Sequence, residues 1–104
     1  MDKITSLEDS IFKQKVAEVG IGKALVYFFD SLTKEVISKL TFDQWKEILT
    51  SVYSTSDLHN YALDKMSKLA ENLKQWKEVH YRADLGSDLR KLALQKVREF
   101  VVKK

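Results

Sequence analysis

The chain contains two histidines, His59 and His80, and the helix pattern places them on different helices. A zinc site would need both imidazoles to converge with a carboxylate such as Glu78 or Asp57. Neither the His-x-x-x-His nor the Glu-x-x-His spacing occurs in the chain. We therefore interpret both histidines as surface or boundary residues and predict no metal site.

Two other sets contain residues of the types found in catalytic or phosphate-binding sites. Glu47 and Glu78 recur at equivalent positions of an internal repeat, and paired carboxylates serve acid–base catalysis. Each follows a lysine that recurs as well, and repetition at a fixed period is typical of a structural role. Residues 20–23, Gly-Ile-Gly-Lys, lack the longer spacing of a phosphate-binding loop. The chain has no cysteine. We predict that the protein is not an enzyme and has neither catalytic residues nor a cofactor.

The repeat itself is the strongest pattern in the chain. Residues 41–71, the first copy, align without a gap with residues 72–102, the second copy, and ten of the 31 aligned pairs are identical. Trp45 and Trp76 occupy equivalent positions. Periods of about 20 to 50 residues are typical of stacked supersecondary units. We therefore predict that both tryptophans belong to the core rather than to a binding site.

Capping residues predict two helices in each copy. Thr41 and Asn72 each precede a glutamine by three residues, which predicts helices over residues 42–52 and 73–82. Ser56 and Ser87 are each followed by aspartate, which predicts the start of the second helix. The inward-facing residues expected on the two second helices are Leu58, Tyr61, Ala62, Met66, Leu69 and Ala70, and Leu89, Leu92, Ala93, Val97, Phe100 and Val101.

Residues 1–40 predict a third, divergent hairpin. Ser6 is the expected cap of a helix that ends near Gly20, and a strongly apolar helix is expected over residues 23–40. The three glycines, among them Gly22 and Gly86, are interpreted as helix ends. The absence of proline favours uninterrupted helices. The prediction is an all-α single domain of three antiparallel helical hairpins, about six helices, stacked as a short α-solenoid or compact helical bundle.

The run Ser87-Asp88-Leu89-Arg90-x-x-Ala93-Leu94-x-x-Val97 resembles the second part of short HEAT-like repeats. With Trp76-x-x-Val79 ahead of it, the unit is similar to tandem repeats in uncharacterised bacterial proteins, although HEAT units usually carry proline. The resemblance implies partner binding along a stacked helical surface, and no functional residue carries over. Residues 81–86 are also similar to a segment of some bacteriocin immunity proteins, which form small helical bundles and offer an alternative function.

The net charge of +3 is unevenly distributed along the chain. Residues 1–40 are neutral, residues 41–71 carry −2, and residues 72–104 carry +5. A solvated helix surface explains such a basic end, and so does a nucleic-acid-binding surface, which is the second alternative. The candidate partner-binding residues are Lys74, Lys77, Tyr81, Arg82, Arg90, Lys91, Arg98 and Phe100.

Three expectations concern the cellular location, the binding partner and self-association. No signal-peptide pattern or apolar run of membrane-spanning length is visible, so we expect a cytoplasmic protein without membrane contact. The leading functional hypothesis is a non-enzymatic protein-interaction module with an unidentified protein partner. Because the second copy closely follows the first and ends in Phe100-Val101-Val102, its last helix is also expected to form a homodimer contact.

Overall fold

The computed structural model describes residues 3–53 and 55–102. These residues form seven α-helices and no strand. The helices are α1 (Ser10–Val19), α2 (Ile21–Tyr27), α3 (Lys34–Ser38), α4 (Phe42–Thr50), α5 (Asp57–Leu69), α6 (Leu73–Arg82) and α7 (Asp88–Val102). The predicted all-α class is therefore confirmed.

The helices form three antiparallel hairpins that follow one another along the chain. Helix α1 packs on α2, α4 on α5 and α6 on α7, while α2–α4 and α5–α6 contacts join neighbouring hairpins. The molecule measures 48 × 29 × 23 Å and has a radius of gyration of 15.1 Å. A compact domain of about 100 residues has a radius of gyration of about 13 Å. The hairpins are therefore arranged as an elongated array.

The predicted caps explain where the helices of the two copies begin. Thr41 forms a capping box with Gln44, in which the Thr41 hydroxyl accepts from the Gln44 amide and the Gln44 side chain accepts from the Thr41 amide. Asn72 caps α6 in the same way, but the Gln75 side chain accepts from the amide of Glu71. The hydroxyls of Ser56 and Ser87 cap α5 and α7. The helix starts at residues 42 and 73, and at 57 and 88, keep the 31-residue offset of the sequence.

The helix predicted over residues 23–40 is wrong, because the structure breaks it into α2, a 3-10 turn (Phe29–Ser31) and α3. Long-range hydrogen bonds of Ile4 and a local cap at Thr33 cause the break. The amide of Ile4 donates to the Ser31 carbonyl and the Thr33 amide donates to the Ile4 carbonyl, which holds residue 32 extended. The Thr33 hydroxyl then accepts from the Val36 amide and starts α3. Helix α1 likewise begins at Ser10 with Asp9 as its cap, not after Ser6.

Gly22 does not end a helix, contrary to the sequence interpretation. It lies within α2 and is buried where α2 meets α4. A Cβ atom at this position would lie 2.5 Å from the Glu47 carbonyl oxygen, closer than real Cβ contacts come. The absence of a side chain therefore sets the distance between α2 and α4. Gly20 and Gly86, in contrast, have φ values of +91° and +80° and do lie outside helices, as predicted.

The core runs through all three hairpins and contains both tryptophans. Trp45 is 1% exposed and Trp76 is 7% exposed, so the predicted core role of both is confirmed. Ala62 and Ala93 are fully buried where paired helices approach each other closely. Tyr61 packs inward on Trp45 although it is 41% exposed. Three other residues expected to point inward have large exposed fractions, and that expectation is wrong for them: Leu69, Leu92 and Val101.

Candidate interaction surface

The aromatic contacts of α5 identify the side of the first copy that faces the N-terminal hairpin. The Tyr61 ring stacks on Trp45 with 5.5 Å between centroids, and its centroid is 6.2 Å from that of Phe29. Since Phe29 belongs to the 3-10 turn after α2, the Tyr61 side of α5 faces the preceding hairpin. Leu63 and Met66 follow Tyr61 by two and five residues, which places them on the other side of the helix.

The other side of the first copy faces the second copy. Leu63 is 7% exposed and Met66 is fully buried, and α5 contacts α6. On the neighbouring helix, the Lys46 Nζ atom lies 3.7 Å from the Glu78 Oε1 atom and so joins α4 to α6 by an ion pair. The side of the first copy that carries Lys46, Leu63 and Met66 is therefore covered by the second copy.

The equivalent positions of the second copy lie at the end of the array. Phe42, Leu49, Leu63 and Met66 are all buried, and Ala70 is half-buried. None of their equivalents is buried, and Val101 is 52% exposed. We call these five equivalents the end face: Leu73, His80, Leu94, Val97 and Val101.

Positions between the two helices of each hairpin are buried in both copies. Ile48 and Val79 are both fully buried, as are Ala62 and Ala93. Among the apolar residues buried in the first copy, the loss of burial is therefore confined to the positions that would contact a following hairpin. It does not arise from loose packing between α6 and α7.

Basic residues border the end face on both helices. Lys74, Lys77 and Tyr81 line a groove along α6 together with Leu73 and Glu78. A second groove runs along α7 and is lined by Lys91, Leu94, Gln95, Arg98, Glu99 and Val102. Within the described part of the chain, Lys77 and Arg98 form no ion pair. Five of the eight candidate residues thus lie beside the end face.

The other three candidate residues interact within the array itself. The Arg82 Nε atom donates to Glu78 at 3.0 Å, and its guanidinium carbon lies 5.3 Å from the Tyr81 ring centroid. The Arg90 Nη1 atom donates to the carbonyl oxygens of His80 and Ala83 at the end of α6. Phe100 is half-buried against the core. Arg90 and Phe100 therefore hold α7 to its own hairpin.

Sequence reasoning missed Leu73, His80 and Leu94 and placed Val97 in the core. The signal that identifies them is the 31-residue alignment, because it pairs each one with a residue of known environment in the first copy. Exposure of Val97 follows from the absence of a third copy behind it within the described residues. A helix pattern alone distinguishes inside from outside but not one neighbour from two.

His59 is buried, so its interpretation as a surface or boundary residue is wrong, whereas half-buried His80 lies at the boundary as expected. The His59 Nδ1 atom has no hydrogen-bond partner among the described residues. His59 occupies the position of Arg90, whose longer side chain reaches the end of the preceding helix. In the described residues, no three His, Cys, Asp or Glu side chains form a group that could hold a metal ion.

Comparison with protein-family models, with curated proteins and with solved structures finds no match to this chain. Among the described residues, no helix combines the length and apolar character needed to cross a membrane. Any function is therefore argued from the arrangement of the end face and its basic border.

Proposed function

We propose that the protein is a non-enzymatic protein-interaction module, a short α-solenoid of HEAT-like repeats that binds a partner protein through the end face. The observation that carries the proposal is the difference in burial at equivalent positions. Met66 is fully buried, whereas Val97 and Leu94 are half-buried and Val101 is mostly exposed. Apolar side chains left partly exposed at the end of an array are candidates for an interaction site.

The elongated array supports this proposal. A solenoid unit contacts only its neighbours, so its terminal units need a polar outer surface or a partner. The N-terminal end has an additional segment, in which Ile4 is buried and bonded to the backbone around Leu32. Nothing equivalent covers α7 among the described residues, so an incoming protein has access to this end.

A photo-crosslinking experiment in cells of the native host tests the proposal. A photoreactive phenylalanine analogue placed at Val101 should give a discrete adduct with one protein. The same analogue at Lys13, an exposed position on α1, is the matched control. The proposal predicts an adduct at Val101 that the Lys13 position does not give. The same adducts at both positions, or none at Val101, would contradict it.

A second candidate function, nucleic-acid binding, is favoured by the lysines and arginine that border the end face. Lys74, Lys77, Lys91 and Arg98 line the two grooves, and phosphate contacts require such cations. The expected signature is a gel mobility shift of short single-stranded and double-stranded DNA at low salt that decreases steeply as salt rises. Replacing Lys77 and Arg98 together by glutamine should reduce the salt dependence by about two contacts. No shift at low salt would remove this candidate.

A further inference from the structure

The first copy contains a template for what the end face binds. Its equivalent surface is covered by α6, a ten-residue amphipathic helix that contacts α5. Glu78 on the same helix projects across the contact and pairs with Lys46 at 3.7 Å. The covering element is thus an amphipathic helix with a carboxylate that reaches a lysine of the covered copy.

The second copy retains the lysine of this template. Lys77 is the equivalent of Lys46, and it is exposed with no ion pair among the described residues. Leu73 stands in place of Phe42 beside it, and Leu94 and Val97 stand in place of Leu63 and Met66. The end face therefore keeps the apolar surface and the cation that, in the first copy, receive α6.

Electrostatics decides between two candidate occupants of the end face, a second molecule of this protein and a different protein. In a two-fold contact between two molecules of this protein, the cations around one end face would oppose those around the other. Residues 72–104 carry a net charge of +5, so such a contact would place like charges together. The α6 helix of another molecule is already packed against its own α5 and α7. Both facts favour a different protein with an acidic helix.

We propose that the end face binds an amphipathic helix of a partner protein, with its apolar stripe on Leu94 and Val97 and an acidic side chain paired with Lys77. This inference rests on the proposed function and specifies the partner. It uses a helix-in-groove mode of recognition, in which apolar residues about three and four positions apart provide the contact area. The acidic residue sets the orientation of the helix on the surface.

A peptide with the sequence of residues 72–83 that carries Lys74→Glu and Arg82→Glu is the probe, because it keeps the amphipathic pattern and Glu78 of α6 and has the acidic character of the proposed partner. A covalent staple between positions 77 and 81 holds it helical, and these positions lie on the side of α6 away from the first copy. Binding of the fluorescein-labelled peptide to the full-length protein is measured by fluorescence anisotropy. Val97→Glu in the protein should abolish binding, because a carboxylate would be forced against the apolar stripe.

A charge-swap cycle then tests the ion pair. Lys77→Glu in the protein should weaken binding of the peptide about fivefold, and Glu78→Lys in the peptide should weaken binding to the wild-type protein equally. The two reversals together should restore the wild-type affinity within about twofold. Lys34→Glu, at an exposed position of α3, makes the same charge change far from the end face and should leave the affinity unchanged.

Each contrary result overturns the proposal. Absence of peptide binding to the wild-type protein at low salt would do so, as would binding that Val97→Glu abolishes but neither charge reversal affects. Sedimentation equilibrium that shows a dimer lost in Val97→Glu would identify another molecule of the protein as the occupant. If the Val101 crosslink persists in any of these cases, the proposed interaction function stands and only the acidic helix is excluded.

Discussion

The first copy and the second copy share ten of 31 residues and the same helix starts, yet equivalent side chains differ in burial. Trp45 and Trp76 are buried in both copies. Leu63 and Met66 are buried, whereas Leu94 and Val97 are only half-buried. One sequence pattern therefore specifies the hairpin, while the number of neighbouring hairpins determines how much of its surface is buried.

The largest expected losses of stability are at the tryptophans. Trp45 contacts Phe29 and Tyr61 and lies between two neighbouring hairpins, so Trp45→Ala should destabilise the protein by about 5 kcal/mol. Trp76 has a neighbouring hairpin on one side only, and Trp76→Ala should cost about 3 kcal/mol. Urea denaturation of both variants measures the difference. Equal costs would mean that the second copy is enclosed as fully as the first.

Alanine substitution of Met66 and of Val97 compares the burial of two equivalent side chains, one covered by a neighbouring hairpin and one on the end face. Met66→Ala removes a fully buried side chain and should cost about 3 kcal/mol. Val97→Ala removes a smaller and half-buried side chain and should cost about 1 kcal/mol. Thermal unfolding followed by circular dichroism gives both values. A Val97→Ala cost as large as that of Met66→Ala would show that Val97 is already covered.

Gly22 tests the opposite side of the first copy, where α2 approaches α4. Gly22→Ala should destabilise the protein by about 2 kcal/mol, because the new methyl group would collide with the Glu47 backbone. Lys23→Ala, at the next residue on the exposed surface of the same helix, is the matched control and should be nearly neutral. Similar stability of the two variants would indicate that α2 and α4 separate without loss.

The smallest expected effects are at the equivalent residues Arg90 and His59. Arg90→Ala removes two hydrogen bonds to the end of α6 and should cost about 1 kcal/mol. His59→Leu replaces a buried side chain whose Nδ1 atom has no partner among the described residues, so it should be neutral or stabilising. Guanidinium denaturation compares the two. A clear loss of stability in His59→Leu would show that the imidazole makes a stabilising interaction.

The elements that sequence predicted well are those with local signals. Thr41, Ser56, Asn72 and Ser87 each place a capping oxygen at a helix start, and all four helices begin there. The break within residues 23–40 was missed because its cause is not local: Ile4 pairs with the backbone beside Leu32, far along the chain. The cap at Thr33 that starts α3 was missed as well.

The candidate surface was predictable in part. Basic residues in the last third pointed to Lys74, Lys77, Lys91 and Arg98, which do lie beside the end face. Arg90 was also included, and charge alone could not reveal that its guanidinium binds backbone carbonyls. The apolar part of the surface was assigned to the core, since helical periodicity does not report whether a further hairpin follows.

The most direct test adds a third copy of the repeat next to the end face. A further copy of residues 72–102 inserted directly after Val102 should pack on the end face and give Val97 the environment of Met66. The cost of Val97→Ala, measured by urea denaturation, should then rise from about 1 kcal/mol in the natural chain to about 2.5 kcal/mol in the lengthened one. The same cost in both chains would contradict the claim that the end face is an open docking surface for a helix.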